Sequence, residues 1–202
     1  RRETTQKGLT RPELSVLLAY SKIRLSEELL NSDISDDPYL SHELVSYFPA
    51  PMREQFRVPM ESHPLRREII STQITNGMVN RMGSTFWMRM QNATGHSPAA
   101  IARAYAAARE IFGMRAIWRA IESLDNQISN SVQLEMLIET RRLLDRATLW
   151  LLRHTHTPLD IAATISRYIP HGEPIATRLP QLMKNGERSA LKQRERLFIK
   201  AK

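Results

Sequence analysis

Apolar residues along this chain recur every three to four positions, which is the spacing of residues on one side of an α-helix. Thr10 and Glu13 flank a proline and are spaced as a capping box, which predicts a helix start. No stretch alternates apolar and polar residues as a half-buried strand would. Three glycines follow periodic stretches and suit helix ends: Gly83, Gly113 and Gly172. The pattern predicts an all-α fold, an irregular multi-helix domain of about eight to ten helices with no sheet.

The helix predicted near residues 98–112 has one apolar and one polar side. Arg103 and Arg109 project from the polar side, so we expect an ordinary amphipathic helix at the surface with both arginines in solvent. The apolar side carries Ile101, Ala104, Tyr105, Ala108, Ile111 and Phe112.

Two other predicted helices are apolar on two sides, which indicates that each packs against neighbours on both. In residues 12–30 the first stripe is Leu14, Leu17, Leu18, Leu25 and Leu29, and the second is Val16, Tyr20, Ile23 and Leu30. In residues 64–82 the first stripe is Ile70, Ile74, Met78 and Met82, and the second is Leu65, Ile69 and Val79. We expect the 64–82 helix to be the central packing element.

Two amides interrupt the second stripe of the 64–82 helix. Leaving a buried amide without a hydrogen bond costs roughly 1–3 kcal/mol, so Asn76 and Asn80 need partners if that stripe is packed. We expect them, with the adjacent Gln73 and Arg81, to form a packing lock with neighbouring groups. The alternative is that these four side chains line a site for a small effector, and the sequence leaves both interpretations open.

A long helix is predicted from about residue 132 to residue 153. Beyond it the pattern weakens to short helices over residues 158–169 and 174–183 and to a basic helix or tail over residues 187–202. The chain is therefore divided at this point into a helical region, residues 1–153, and short helices with a basic tail, residues 154–202, packed on it or trailing from it. The long helix is expected to bury Val132, Met136, Leu143, Ala147 and Trp150.

The positive charge is concentrated at the two ends of the chain. The 202 residues carry 29 Lys and Arg against 21 Asp and Glu, a net charge of +8. Residues 184–202 hold seven basic and two acidic residues, residues 1–7 add three basic and one acidic, and the rest is close to neutral. A domain that reads nucleic acid concentrates charge on a folded face, so we expect any nucleic-acid binding to be weak, non-specific and due to the tail.

The residue types exclude several kinds of chemistry. The chain has no cysteine, which excludes disulfides, Cys-ligated zinc and a thiol nucleophile. It has no glycine-rich phosphate loop or dinucleotide fingerprint. His154 and His156 have no third metal ligand in an obvious position, so we expect them to be exposed at a helix end. The sequence therefore predicts no catalytic, cofactor-binding or metal-binding residue.

The ends and the apolar runs bear on location. No apolar run is long enough to cross a bilayer, and no signal peptide is visible. The first residue is Arg1 rather than Met. These features lead us to expect an internal piece of a longer cytoplasmic polypeptide.

Several motifs in order along the chain resemble the large, bacterial NAD-specific glutamate dehydrogenases, in the segment just beyond their catalytic domain. The strongest are residues 8–23 (GLTRPELSVLLAYSKI), 63–70 (HPLRREII) and 76–83 (NGMVNRMG). Shorter ones are residues 36–40 (DDPYL), 47–49 (YFP), 102–105 (ARAY), 108–110 (ARE), 124–125 (LD) and 150–153 (WLLR), and Trp118. The resemblance covers residues 8–153.

The resemblance implies that the whole enzyme converts L-glutamate, NAD and water to 2-oxoglutarate, ammonium and NADH. It places the catalytic residues and the NAD-binding glycines upstream of this chain, so none is carried over to a position here, and the chain alone is expected to be inactive. It implies a helical part that packs on the dehydrogenase core of the same polypeptide and supports stability and assembly. The whole enzyme is implied to be a homo-oligomer, a tetramer.

Two alternatives come from other functional classes. One is an autonomous helical nucleic-acid-binding domain that uses the basic tail, although the near-neutral body argues against it. The other is a helical scaffold that binds a small effector beside Asn76 and Asn80.

Overall fold

The computed structural model describes residues 8–156 and 158–170, and the following statements concern these residues. Together, α-helices and three short 3-10 helices (Ile34–Asp36, Pro38–Leu40 and Ala50–Met52) occupy 77% of them, and they contain no strand, which confirms the predicted all-α fold. The helices predicted over residues 174–183 and 187–202, the basic tail and Gly172 lie outside the described residues. The helices are α1 (Arg11–Leu30), α2 (Ser41–Tyr47), α3 (Arg57–Glu61), α4 (Arg66–Met82), α5 (Phe86–Thr94), α6 (Pro98–Ile111), α7 (Met114–Glu122) and α8 (Asn130–His154), and residues 161–170 are also helical.

Helix ends follow the local signals. At the start of α1, the Thr10 backbone N–H donates to Glu13 Oε2 at 2.9 Å, and the Glu13 N–H donates to Thr10 Oγ1 at 3.5 Å, which confirms the capping box. Gly83 ends α4, and Gly113 lies two residues beyond the end of α6, as predicted. Gly95 ends α5 with a φ of 73°, a left-handed conformation that favours glycine over residues with a side chain.

The first of two compact units comprises, among the described residues, 8–105, 149–156 and 158–159, and α4 is its most extensively packed helix. Helix α4 packs against α1, α2 and α5. Its predicted first stripe is buried along its whole length, since Ile70, Ile74, Met78 and Met82 are almost inaccessible to solvent. The Tyr105 hydroxyl donates to Gly77 O at 3.1 Å, a specific polar tie within this apolar core.

The second unit comprises, among the described residues, 106–148 and 160–170. Its described part has a core around Ile121 of α7 and Met136 of α8. Trp118 Nε1 donates to Thr140 Oγ1 at 3.2 Å, and the Gln133 amide donates to Ile121 O at 3.0 Å, so polar contacts fix the register of α7 against α8. Further apolar side chains around this core are Leu124, Ile128, Val132 and Leu137.

Three predicted helix faces are wrong. Arg103 and Arg109 of α6 were expected in solvent but are buried. Their charges are compensated by carboxylates, since Arg103 pairs with Asp33 and Arg109 pairs with Glu110. In α8, Leu143 and Trp150 are exposed, whereas Leu144 and Leu151 are buried. The prediction followed one stripe along the whole helix, but the buried side of a 25-residue helix depends on which neighbours lie beside each part of it. The third difference is on α1, where Val16, Tyr20 and Ile23 of the second predicted stripe are exposed.

No helix in residues 8–156 and 158–170 has the length and apolar character that crossing a bilayer requires.

Candidate functional site

The N-terminal half of α1 carries an uncovered apolar surface. Val16, Tyr20 and Ile23 of the second predicted stripe lie on one side of the helix, and Leu17 of the first stripe lies at the edge of that side. These four side chains have between 44% and 69% of their surface exposed. We call these four residues the α1 apolar face. Single exposed apolar residues are ordinary on protein surfaces, but a contiguous group on one helix face is typical of an interaction site.

The opposite side of α1 is packed only towards the C-terminal end of the helix. Leu25 and Leu29 are fully buried, and the Ser21 hydroxyl donates to Ser84 O at 2.7 Å. The sequence predicted packing on both sides of this helix. That prediction is wrong for this structure, because the stripe with Val16 and Tyr20 has no cover here.

The short acidic loop that follows α1 forms ion pairs with an arginine of α6 and with arginines of α4. Arg103 of α6 is only 8% exposed, and its Nη1 donates to Asp33 Oδ1 at 3.0 Å. Its Nε lies 3.5 Å from Asp37 Oδ2. The hydrogen bond from Arg103 holds the pKa of the Asp33 carboxyl below its usual value. Two carboxylates thus compensate a guanidinium that would be costly to bury alone.

Arg67 of α4 contacts the same loop. Its Nη2 donates to Leu30 O at 3.0 Å and to Ser32 O at 2.9 Å, and its Nη1 pairs with Asp36. The carbonyls at the end of a helix have no partner within the helix and favour a cation, so Arg67 stabilises the C-terminus of α1. Ion pairs and hydrogen bonds therefore connect α1, α4 and α6.

A cleft of about 390 Å³ lies between the end of α1 and the start of α6. Its polar lining includes Glu28, Asn31, Asp33, Ser97 and Arg103. Much of this lining is already paired: Arg103 binds Asp33, Arg24 binds Glu28 at 2.7 Å, and Ser97 Oγ accepts from the Ala100 N–H at 3.3 Å. The cleft therefore offers mixed charges that satisfy one another and indicates no particular ligand class.

The four site residues predicted from the sequence all lie on α4. Asn80 is exposed, whereas Gln73, Asn76 and Arg81 are half-buried. None of them belongs to the lining of the cleft described above. Whether they act as a packing lock or bind an effector stays a prediction.

The histidines at the end of α8 are exposed, as expected. His154 stacks on Trp150 with ring centroids 4.7 Å apart, and its Nδ1 lies 2.8 Å from Trp150 O. Within the described residues, no group of three or more His, Asp or Glu side chains is placed to hold a metal ion.

Comparison with known proteins gives consistent matches. Residues 6–202 match the family model described as glutamate dehydrogenase, C-terminal. The chain is 41% identical over 194 residues to the NAD-specific glutamate dehydrogenase of Pseudomonas aeruginosa, a match that covers 96% of this chain. It is 36% identical over 201 residues, 98% of the chain, to that of Halomonas elongata, and 35% identical over 189 residues, 94% of the chain, to that of Mycobacterium tuberculosis. The matched region is 12% of the length of each relative.

Proposed function

The chain belongs to the glutamate dehydrogenase C-terminal family, and from this we propose that it is a non-catalytic helical domain of an NAD-dependent glutamate dehydrogenase. Its role is to support the stability of the dehydrogenase core and the assembly of subunits. The whole enzyme converts L-glutamate, NAD and water to 2-oxoglutarate, ammonium and NADH. It works in the cytoplasm as a homo-oligomer, a tetramer.

We assign NAD to another part of the full-length polypeptide. A dinucleotide is usually held where a strand leads through a glycine-rich turn into a helix, because the backbone N–H groups there face the pyrophosphate. The described residues of this chain are helices and connecting turns. We therefore place the reaction chemistry, as part of this proposal, in the polypeptide beyond this domain.

The observation that carries the supporting role is the combination of a fixed helical framework with an uncovered apolar face. Ion pairs from Asp33, Asp36 and Asp37 hold α1, α4 and α6 together. The α1 apolar face projects from this framework. Such a rigid body with one apolar side suits a part that packs on another folded region, because little ordering is needed when the surfaces meet.

The role is tested by comparing the full-length enzyme with a truncated form that lacks residues 8–202. We expect truncation to lower the melting temperature and the share of assembled subunits, while kcat per assembled active site stays close to that of the parent. Because the truncation removes the whole domain, full-length Ile74→Ala provides a milder perturbation of the same domain. Unchanged melting temperature and assembly in both forms would refute the supporting role.

A further inference from the structure

The α1 apolar face is presented by a helix that is fixed at its start, middle and end. The capping box holds Thr10 and Glu13, Ser21 is bonded to Ser84 O, and Arg67 binds the carbonyl of Leu30. The face is therefore already formed before anything covers it. A partner surface would lose little free energy in ordering this helix, since rigid binding surfaces avoid that cost.

The size of the face favours a partner that is covalently linked. It consists of four side chains, whereas a standard interface between separate proteins uses roughly 20–30 residues on each side. Two copies of this chain meeting through α1 alone would therefore bury too little surface for a stable dimer. A covalently linked surface meets the face at an effective concentration of about millimolar, so a small contact is sufficient.

The position of α1 indicates which linked surface is within reach. The family match begins at residue 6 and α1 begins at Arg11, so about five residues separate them. Because an extended chain spans at most roughly 3.3–3.6 Å per residue, α1 stays close to the polypeptide before the matched region. In the relatives the matched region is 12% of the length, and the family model describes it as C-terminal.

We propose that the α1 apolar face docks on an apolar surface of the preceding polypeptide in the same subunit of the full-length dehydrogenase. This deepens and rests on the proposed function, since it names the surface by which the domain contacts the dehydrogenase. The docked side chains are Val16, Leu17, Tyr20 and Ile23. The buried side of α1, with Leu25 and Leu29, keeps its place in the domain core.

The experiment places a photo-cross-linking residue, p-benzoylphenylalanine, at Tyr20 in the full-length enzyme. The matched control carries the same residue at Tyr47, a tyrosine at the end of α2 that is 55% exposed against 69% for Tyr20. After irradiation, a denaturing gel separates cross-links within one subunit, which keep the monomer mass, from cross-links between subunits. Mass spectrometry of the cross-linked peptides identifies the partner residues.

We expect position 20 to cross-link within one subunit to the polypeptide that precedes the matched region, at roughly ten times the yield seen at position 47, because a docked side chain is held against its partner. Products of dimer mass that join position 20 to another copy would overturn the proposal in favour of a contact between subunits. A yield no higher than that of the Tyr47 control would also overturn it, because the face would then be open to solvent in the enzyme.

A second comparison keeps this proposal separate from the proposed function. Truncation tests whether the domain supports stability and assembly, whereas the cross-link tests only where α1 lies. If truncation has no effect but position 20 cross-links to the preceding polypeptide, the docking stands and the supporting role fails. If truncation destabilises the enzyme but position 20 does not cross-link within its subunit, the supporting role stands and docking through α1 fails.

Discussion

At the scale of single residues, Arg103 shows how an unfavourable group becomes part of the core. Its place on the polar side of α6 predicted exposure, yet it is buried against Asp33 and Asp37. The partners lie about seventy positions earlier in the chain, and periodicity carries no information on such a contact. A buried arginine is therefore recognised only when its carboxylates are placed in three dimensions.

Asp33 should make the stability of the domain depend on pH. Its carboxyl has a lowered pKa because Arg103 donates a hydrogen bond to it. The stabilisation is therefore complete above the unfolded pKa of about 3.9 and is lost as the pH falls through the lower folded value. We expect Asp33→Asn to lower the melting temperature at pH 7. The difference in melting temperature between this variant and the parent should shrink as the pH is lowered to about 3.

The Asp33 effect should be modest, because 73% of that side chain is exposed to solvent and its ion pair is screened. Glu54→Gln, which removes an exposed carboxylate of the same unit, serves as the control and should shift melting little at either pH. A difference between Asp33→Asn and the parent that stays constant from pH 7 to pH 3 would contradict the assignment.

Asn80 tests the idea of a packing lock on α4. If Asn80 forms such a lock, Asn80→Leu leaves a buried partner unsatisfied and lowers the free energy of unfolding by roughly 1–3 kcal/mol. Because Asn80 is exposed in the structure, we expect the substitution to change the free energy of unfolding by less than about 0.5 kcal/mol, as is usual at surface positions. A loss above 1 kcal/mol in a denaturant titration, on the order expected for an unsatisfied partner, would favour the lock instead.

At the scale of the helix, α1 should respond locally to the loss of its cap. Replacing an N-cap threonine by alanine costs about 1 kcal/mol of helix stability. Since the N-terminal half of α1 has little cover in this structure, we expect Thr10→Ala to increase hydrogen exchange over the first turns of α1 and to leave the core of α4 unchanged. Ser15→Ala, in the same exposed part, should slow exchange slightly, because alanine is the better helix former. Equal exchange in the two variants would argue against the cap.

The sequence predicted the bounds of the four longest helices but not those of the short ones. Helices predicted over residues 12–30, 64–82, 98–112 and 132–153 match α1, α4, α6 and α8 to within two residues at each end. Their starts and ends depend on local signals such as the capping box. Helices α2 and α3 have only 7 and 5 residues, too few for a periodic pattern to distinguish.

The faces of the helices were predicted less well, for a physical reason. The spacing of apolar residues shows that a helix face is apolar, but it does not show what covers that face. The cover is decided by tertiary packing or by another part of the polypeptide. Ile74 and Met78 are covered within the domain, as predicted, whereas Val16 and Tyr20 are not. The candidate docking surface was therefore visible in the sequence as an apolar stripe, but its lack of cover became evident only in the structure.

At the scale of the whole molecule, the proposed function places this domain apart from the chemistry of the enzyme. This chain makes up 12% of the length of its relatives, and its family is the C-terminal part of glutamate dehydrogenases. Under the proposed function, a change in the core of this domain acts on catalysis only by changing how much enzyme is folded and assembled. The kinetic constants of the remaining assembled enzyme should not change.

The most direct test is the steady-state kinetics of full-length Ile74→Ala, with the melting curve of the same sample. Ile74 is 2% exposed in the centre of α4, and emptying such a position costs roughly 2–5 kcal/mol. We predict a lower melting temperature, with kcat and the KM values for glutamate and NAD unchanged at temperatures where the variant is fully folded and assembled. A fall in kcat at those temperatures would contradict the account, because the domain would then take part in the reaction itself.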